Sequence, residues 1–100
     1  MPFVTRRPNP IFSPEYRAIV EILVQARRRA GLSQRALAAL LDKTPSHIAM
    51  IERGQRRVDL LEFYRLARAL DTDPQHLFRE VAGSIGSLSD ARTADLVGSN

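Results

Sequence analysis

The sequence predicts an all-α domain of five short helices, and three observations carry that prediction. Apolar residues recur at the three- and four-residue spacing of a helix. No segment shows the sustained alternation of a half-buried strand, and β-branched residues are sparse. Three capping residues, Ser13, Thr44 and Asp73, stand directly before a proline, which favours a helix start because the first turn does not need the N–H that proline lacks.

Further start and stop signals divide the chain into elements. Ser33 is another N-cap candidate, and Asp59 followed three residues later by Glu62 forms a variant of the capping box. Residues suited to the left-handed conformation follow the first three helices, at Gly31, Asp42 and Gly54. The predicted helices therefore span residues 14–30, 34–41, 45–53, 60–70 and 74–82.

Each helix carries an apolar stripe that we expect to lie in the core of a compact bundle. In helix order the stripes are Tyr16, Ile19, Val20, Leu23, Ala26 and Ala30; Leu37, Ala38 and Leu41; Ile48 and Ile51; Phe63, Leu66, Ala67 and Leu70; and Leu77, Phe78 and Val81. The domain is predicted to cover residues 13–82. Residues 1–12, rich in proline, form a basic arm, and residues 83–100, with recurring glycine and serine and no clean apolar period, are expected to be a weakly structured tail.

Composition excludes several classes of protein. The chain of 100 residues has no cysteine, so disulfides, thiolate metal sites and a cysteine nucleophile are excluded. It has no apolar run long enough for a membrane span, and residues 1–10 lack the apolar segment of a secretory signal, so we expect a cytoplasmic protein without membrane contact.

The residues of a catalytic site are also missing. The sequence has no glycine-rich phosphate loop and no Gly-x-Ser-x-Gly elbow, and His47 and His76 lie on different predicted helices without metal-ligand spacing. We therefore expect no enzyme activity, no metal and no cofactor.

The second and third predicted helices are separated by only residues 42–44. So short a turn sets two helices at a steep angle, which is the helix-turn-helix arrangement, and Ala38 is small where the helices must approach closely. The chain is also basic, with 15 Lys and Arg against 11 Asp and Glu, and all of these cations but Lys43 are arginine, whose planar fork suits phosphate. A net charge of +4 is also common on surfaces that never touch nucleic acid.

A set of spaced positions makes this region more specific. They are Gly31, Leu32, Ser33, Gln34, Leu37 and Ala38, then Ile48, Ile51, Glu52, Arg53 and Gly54, and finally Leu66, Ala67, Arg68, Ala69 and Leu70. In these residues the chain resembles the Cro/cI-type (XRE) helix-turn-helix domain over roughly residues 22–78. The resemblance implies a lambda-repressor-like fold of five helices, with the motif formed by helices 2 and 3. It also implies binding to double-stranded DNA, usually as a dimeric transcriptional repressor or activator.

The resemblance makes residues 44–53 the recognition helix, which lies in the major groove with its N-terminal end toward the base edges. It also implies that Gln34 contacts a phosphate. The alternative is that Gln34 is an ordinary solvated side chain beside a helix cap. The cations around the recognition helix either contact phosphates or form an ordinary solvated surface. The expected DNA-contacting residues are Gln34, Arg35, Lys43, Thr44, Pro45, Ser46, His47, Ala49, Met50, Arg53, Arg56 and Arg57.

The expected reading surface is chemically thin. Pro45, Ala49 and Met50 cannot make bidentate hydrogen bonds to bases, and Ser46 and His47 can donate or accept with little selectivity. We therefore expect weak direct readout per half-site, supplemented by dimer spacing, DNA shape or the basic arm.

Three further expectations complete the prediction. The resemblance implies a structural ion pair between Arg27 and Glu52. Arg6 and Arg7 on the arm either enter a minor groove or are incidental charges on a tail. A homodimer is expected to use the last core helices around Leu77, Phe78 and Val81. The alternative function is a protein-interaction module or an antitoxin-like partner-binding protein with the same fold.

Overall fold

The computed structural model describes the backbone of residues 13–98 and the side chains of residues 13–88. It contains five α-helices, and the described part has no strand: α1 Pro14–Arg29, α2 Gln34–Leu40, α3 Pro45–Glu52, α4 Leu60–Ala69 and α5 Pro74–Gly98. The all-α prediction is confirmed, and the first four helices end within one residue of their predicted ends. The arm residues Arg6 and Arg7 lie outside the described residues.

Every helix begins at the capping residue that the sequence indicated. In each case a side-chain oxygen accepts a hydrogen bond from a backbone amide of the first turn, which satisfies a donor that the helix itself leaves free. The pairs are Ser13 with Tyr16, Ser33 with Ala36, Thr44 with His47, Asp59 with Glu62 and Asp73 with Gln75. The helix starts are therefore local properties of the sequence.

The helices end in the left-handed conformation. Gly31, Asp42 and Gly54 have φ values of 73°, 57° and 74°, as expected from their positions after the first three helices. Asp71 ends α4 in the same way with φ 56°. Asp42 is the position on which the helix-turn-helix depends, because its left-handed backbone turns the chain from α2 toward α3 within a few residues.

One apolar core joins all five helices. It is closed by two alanines with no exposed surface, Ala38 and Ala67, which allow neighbouring backbones to approach. The remaining buried members are Leu23, Ala26, Leu37, Ile48, Ile51, Phe63, Leu66, Leu70, Leu77 and Val81. α1 packs on α5 and α3, α2 packs on α3, and α4 packs on α5. This arrangement holds α3 against the bundle by its inner face only.

The fifth helix corrects the prediction of a weakly structured tail. α5 runs from Pro74 to Gly98 instead of ending near residue 82. Ile85 packs against the core, and its spacing from Val81 and Leu88 continues the buried face of the helix. Gly83 and Gly86 have open space around them, so neither marks a close contact or a break. Their low helix propensity is outweighed by packing against α1, a tertiary effect that local patterning does not show.

The fold also corrects the expected dimer residues. Leu77 and Val81 are 0% and 3% exposed because they face the core, so they are not available to a second chain. Phe78 lies on the other side of α5 with 52% of its surface exposed, and its ring meets the edge of Phe63 at a centroid distance of 6.0 Å. Of the three predicted interface residues, only Phe78 is on the surface.

Candidate nucleic-acid interface

α2 and α3 form a tight helix-turn-helix. The turn is held by the backbone amide of Lys43, which donates to the carbonyl of Ala38 at 2.8 Å. Ala38 is fully buried, so any larger side chain there would push the two helices apart. The rigid turn fixes the direction in which α3 presents its outer face.

The two faces of α3 differ as the sequence predicted. Ile48 and Ile51 are buried at 1% and 2% exposure and attach the helix to the core. On the outside, Pro45 and Ser46 are exposed and Met50 is 39% exposed, whereas Ala49 is half-buried. The exposed face offers one hydroxyl and several apolar groups, which suits contact with thymine methyl groups better than bidentate hydrogen bonding.

An ion pair fastens the end of α3 to α1, as the sequence predicted. The guanidinium of Arg27 donates to both carboxylate oxygens of Glu52, at 2.7 and 3.0 Å, and also to the carbonyl of Leu32 at 2.7 Å. The side chains are only 11% and 9% exposed. Hydrogen bonding to Glu52 raises the pKa of Arg27 above its usual value and outweighs the opposing effect of burial, so the guanidinium stays charged.

Gln34 joins this network. Its side-chain amide nitrogen donates to the carboxylate of Glu52 at 2.8 Å. Gln34 is half-buried at the start of α2. A carboxamide has two N–H donors, and this hydrogen bond uses one of them. The free backbone amides of the α2 N-terminus and its positive dipole end lie in the same place. Arg35, the next residue, is exposed.

Exposed cations flank α3 along the chain. Lys43 and Arg53 are exposed, and Arg53 donates to the side chain of Gln55 at 3.2 Å. Arg56 has a side-chain exposure of 46%, and the guanidinium of Arg57 lies 5.3 Å from the ring centroid of Tyr16. Stacking on an aromatic face lowers the conformational freedom of a long side chain, so the Tyr16 ring restricts the positions that the Arg57 guanidinium can take. The exposed segments just before and just after α3 thus carry one ammonium and three guanidinium groups.

His47 does not share this surface. Its imidazole Nε2 lies 2.6 Å from Oε2 of Glu62 on α4, and the two side chains are 15% and 16% exposed. Thr44, the neighbouring predicted contact, uses its hydroxyl to cap the backbone amide of His47 at 3.2 Å. The predicted group of contacts therefore divides into exposed side chains, the half-buried Gln34 and Ala49, and two residues, Thr44 and His47, whose side chains hold the first turn of α3.

Two contacts were not predicted from the sequence. The sequence predicts Glu62 as a partner of Asp59 in a capping box, and the structure shows in addition that its carboxylate binds His47, 15 residues away. The hydroxyl of Tyr16, identified only as a core residue, accepts from the amide of Val58 at 3.0 Å and ties α1 to the α3–α4 connection. Neither contact has a local signal, since both depend on how distant helices pack.

The described residues carry no group of three metal-ligating side chains and no helix long and apolar enough to cross a membrane. The site consists of the exposed outer face of α3, the largely buried Arg27–Glu52 ion pair and the cations that flank α3.

Comparison with known proteins identifies the fold. A family model described as Helix-turn-helix matches residues 23–77, more than half of the chain. An uncharacterized HTH-type transcriptional regulator, y4dL, from Sinorhizobium fredii is 37% identical over 84 residues. That match covers 77% of this chain but only 43% of the relative, so the chain spans less than half the length of that protein.

Two solved structures agree with the family match. An XRE-family like protein from Pseudomonas syringae has a TM-score of 0.66 and 35% identity, with 69% of this chain and 84% of that chain covered. The restriction-modification controller protein C.AhdI from Aeromonas hydrophila has a TM-score of 0.55 and 41% identity, with 59% and 86% covered. The chain therefore belongs to the XRE family of helix-turn-helix domains.

Proposed function

We propose that this chain is a sequence-specific transcription regulator that binds double-stranded DNA and inserts α3 into the major groove. The observation that carries this proposal is the two-sided character of α3, with Ile48 and Ile51 buried and Ser46 and Met50 turned outward. An α-helix fits the major groove of B-DNA, and a helix attached by one face can enter it without unfolding.

Charge around α3 supports a duplex as the ligand. We propose that Gln34, Arg35, Lys43, Arg53, Arg56 and Arg57 contact phosphates on either side of the groove. Pro45, Ser46, Ala49 and Met50 would then face the bases. His47 is not among the proposed base contacts, because its ring is hydrogen-bonded to Glu62. Sequence preference would come mainly from thymine methyl groups and from DNA shape.

A repressor is the simplest regulator that this surface can support. Occupying a promoter is sufficient to block transcription, whereas activation needs a second surface that contacts the polymerase. We therefore propose action of the repressor type.

We propose a homodimer whose interface includes Leu60, Tyr64 and Phe78. These residues are 79%, 50% and 52% exposed and line one apolar groove of about 470 Å³ between α4 and α5. A single recognition helix reads only a few base pairs, so a specific operator needs two copies with half-sites about one helical turn apart. A second copy brings the same groove and the same protruding leucine and phenylalanine, as a two-fold interface requires.

The same groove also favours a second function, binding of a different protein partner as in an antitoxin. An unbiased selection of bound duplexes, followed by titration of the winner and of random duplex at two salt concentrations, decides between the two. A regulator enriches a sequence, with two related half-sites if it is a dimer, and its affinity falls steeply with salt. Absence of enrichment together with a flat salt response would contradict the DNA-binding proposal and leave the partner-binding function.

A further inference from the structure

A buried contact joins the first turn of the recognition helix to α4. Nε2 of His47 lies 2.6 Å from Oε2 of Glu62, and both side chains are about five-sixths buried, at 15% and 16% exposure. The backbone amide of the same histidine is capped by the hydroxyl of Thr44. The N-terminal end of α3 is therefore held through both the backbone and the ring of one residue.

The chemistry of the contact assigns the roles of donor and acceptor. A carboxylate oxygen accepts, so in this contact the ring N–H at Nε2 of His47 donates a hydrogen bond to Oε2 of Glu62. The guanidinium of Arg56 lies 3.9 Å from the same oxygen, which is too long for a hydrogen bond. The other oxygen, Oε1, is buried and has no hydrogen-bond partner among the described residues. The imidazole is thus the principal partner of this carboxylate.

The contact has two consequences for the outer face of α3. It occupies the imidazole of His47, the one ring on α3 able to hydrogen-bond a base. It also fixes the turn that carries the exposed Ser46. It also connects α3 to the helix that carries Leu60 and Tyr64 of the proposed dimer groove. The angle at which each α3 enters its half-site is therefore linked to the dimer face.

We propose that Glu62 is a positioning residue for sequence recognition: by binding the imidazole of His47 it sets the orientation of α3 relative to the duplex. This inference rests on the proposed DNA-binding function and extends it to a residue that touches no DNA. Loss of the contact would leave phosphate binding in place, because the cations remain, and would weaken discrimination between sequences.

The charge of Glu62 must be separated from its hydrogen bond. Lys43, Arg56, Asp59 and Arg65 lie around the same pocket, so removing a carboxylate makes the surface more positive and strengthens binding to any duplex. Glu62→Gln is the matched control, since it removes the same charge while its amide oxygen can still accept from Nε2 of His47. Glu62→Ala removes both the charge and the acceptor.

The experiment compares the native chain with E62A, E62Q, H47A and the double variant H47A/E62A. The duplex enriched by selection and a random duplex are titrated with each protein, and thermal unfolding gives the folded fraction. Nitrogen-15 spectra of the His47 ring report whether Nε2 is protonated. We expect E62A to lose about tenfold in the ratio of specific to random affinity, the effect of one charge-assisted hydrogen bond. E62Q should recover most of that ratio, and the double variant should lose no more than E62A.

The outcomes separate this inference from the function on which it rests. An enriched duplex whose specificity ratio is the same for E62A and the native chain overturns the positioning role alone. Equal losses for E62A and E62Q, additive losses in the double variant, or a His47 ring whose Nε2 carries no proton also overturn it. A failure to enrich any duplex overturns the DNA-binding proposal and the positioning role together.

Discussion

Arg27 on α1 and Glu52 at the end of α3 form a two-pronged ion pair, with nitrogen–oxygen distances of 2.7 and 3.0 Å. The pair spans 25 residues and lies largely out of solvent, so it couples the position of α3 to α1, which also packs on α5. The side-chain amide of Gln34 donates a further hydrogen bond to the same carboxylate. The carboxylate of Glu52 therefore joins α1, α2 and the end of α3.

Glu52→Ala is expected to destabilise the domain strongly, by about 3–5 kcal/mol, because it leaves the guanidinium of Arg27 buried without its partner. In a domain of this size that corresponds to a fall of more than about 10 °C in the unfolding midpoint. Glu80→Ala is the control, since its partners Arg29 and His76 are exposed and a surface pair contributes at most about 1 kcal/mol. An unchanged midpoint for the Glu52 variant would show that the pair has no structural role.

Arg56→Ala is expected to weaken DNA binding and to reduce the slope of log affinity against log salt by about 0.9, the effect of one lost phosphate contact. Arg68→Ala is the matched control, because it removes the same charge from the last turn of α4, outside the proposed interface. Titration of duplex over a range of salt concentrations measures both slopes. Equal slopes for the two variants would mean that Arg56 acts only through net charge.

Leu60→Glu is expected to dissociate the proposed dimer while leaving the unfolding midpoint of the monomer nearly unchanged. Leu60 is 79% exposed, so the folded monomer already holds this side chain in water, whereas a dimer would bury the new charge. Leu40→Glu places the same charge on another exposed leucine, outside the groove. Sedimentation equilibrium should show at least a tenfold weaker dimer for the first variant alone. A native chain that is monomeric at high concentration would exclude the interface.

Gly83→Ala and Gly86→Ala are each expected to stabilise the protein by about 0.5–1 kcal/mol, since alanine favours a helix and nothing lies within 4 Å of the added methyl group. Gly31→Ala has the same free space but a φ of 73°, so it should destabilise the domain through backbone strain. Thermal unfolding of the three variants tests the continuation of α5. A loss of stability in the first two would argue against a helix through residues 83–86.

Deletion of residues 1–10 is expected to weaken DNA binding several-fold, with a larger effect at low salt, where Arg6 and Arg7 are less screened. Thermal unfolding of the shortened chain measures separately any effect of the deletion on stability. Equal duplex affinity for the two lengths at both salt concentrations would leave the arm without a role in binding.

The helix boundaries and the inner face of α3 could be predicted from the sequence because they depend on neighbouring residues. A capping oxygen such as that of Thr44 binds an amide three positions on, and the spacing of Ile48 and Ile51 puts both on one side of a helix. The Arg27–Glu52 pair could be predicted for a different reason. That prediction came from the resemblance to a family and not from local chemistry.

Only the tertiary structure decided the rest. His47 has the chemistry of a base contact, but its ring binds Glu62, which lies 15 residues away on α4. The buried position of Leu77 and the continuation of α5 past Gly83 depend in the same way on α1. Local patterning determines which residues can form a helix and which face is apolar. Contacts between helices distant in the chain determine which polar groups remain free and where a weak helix former is tolerated.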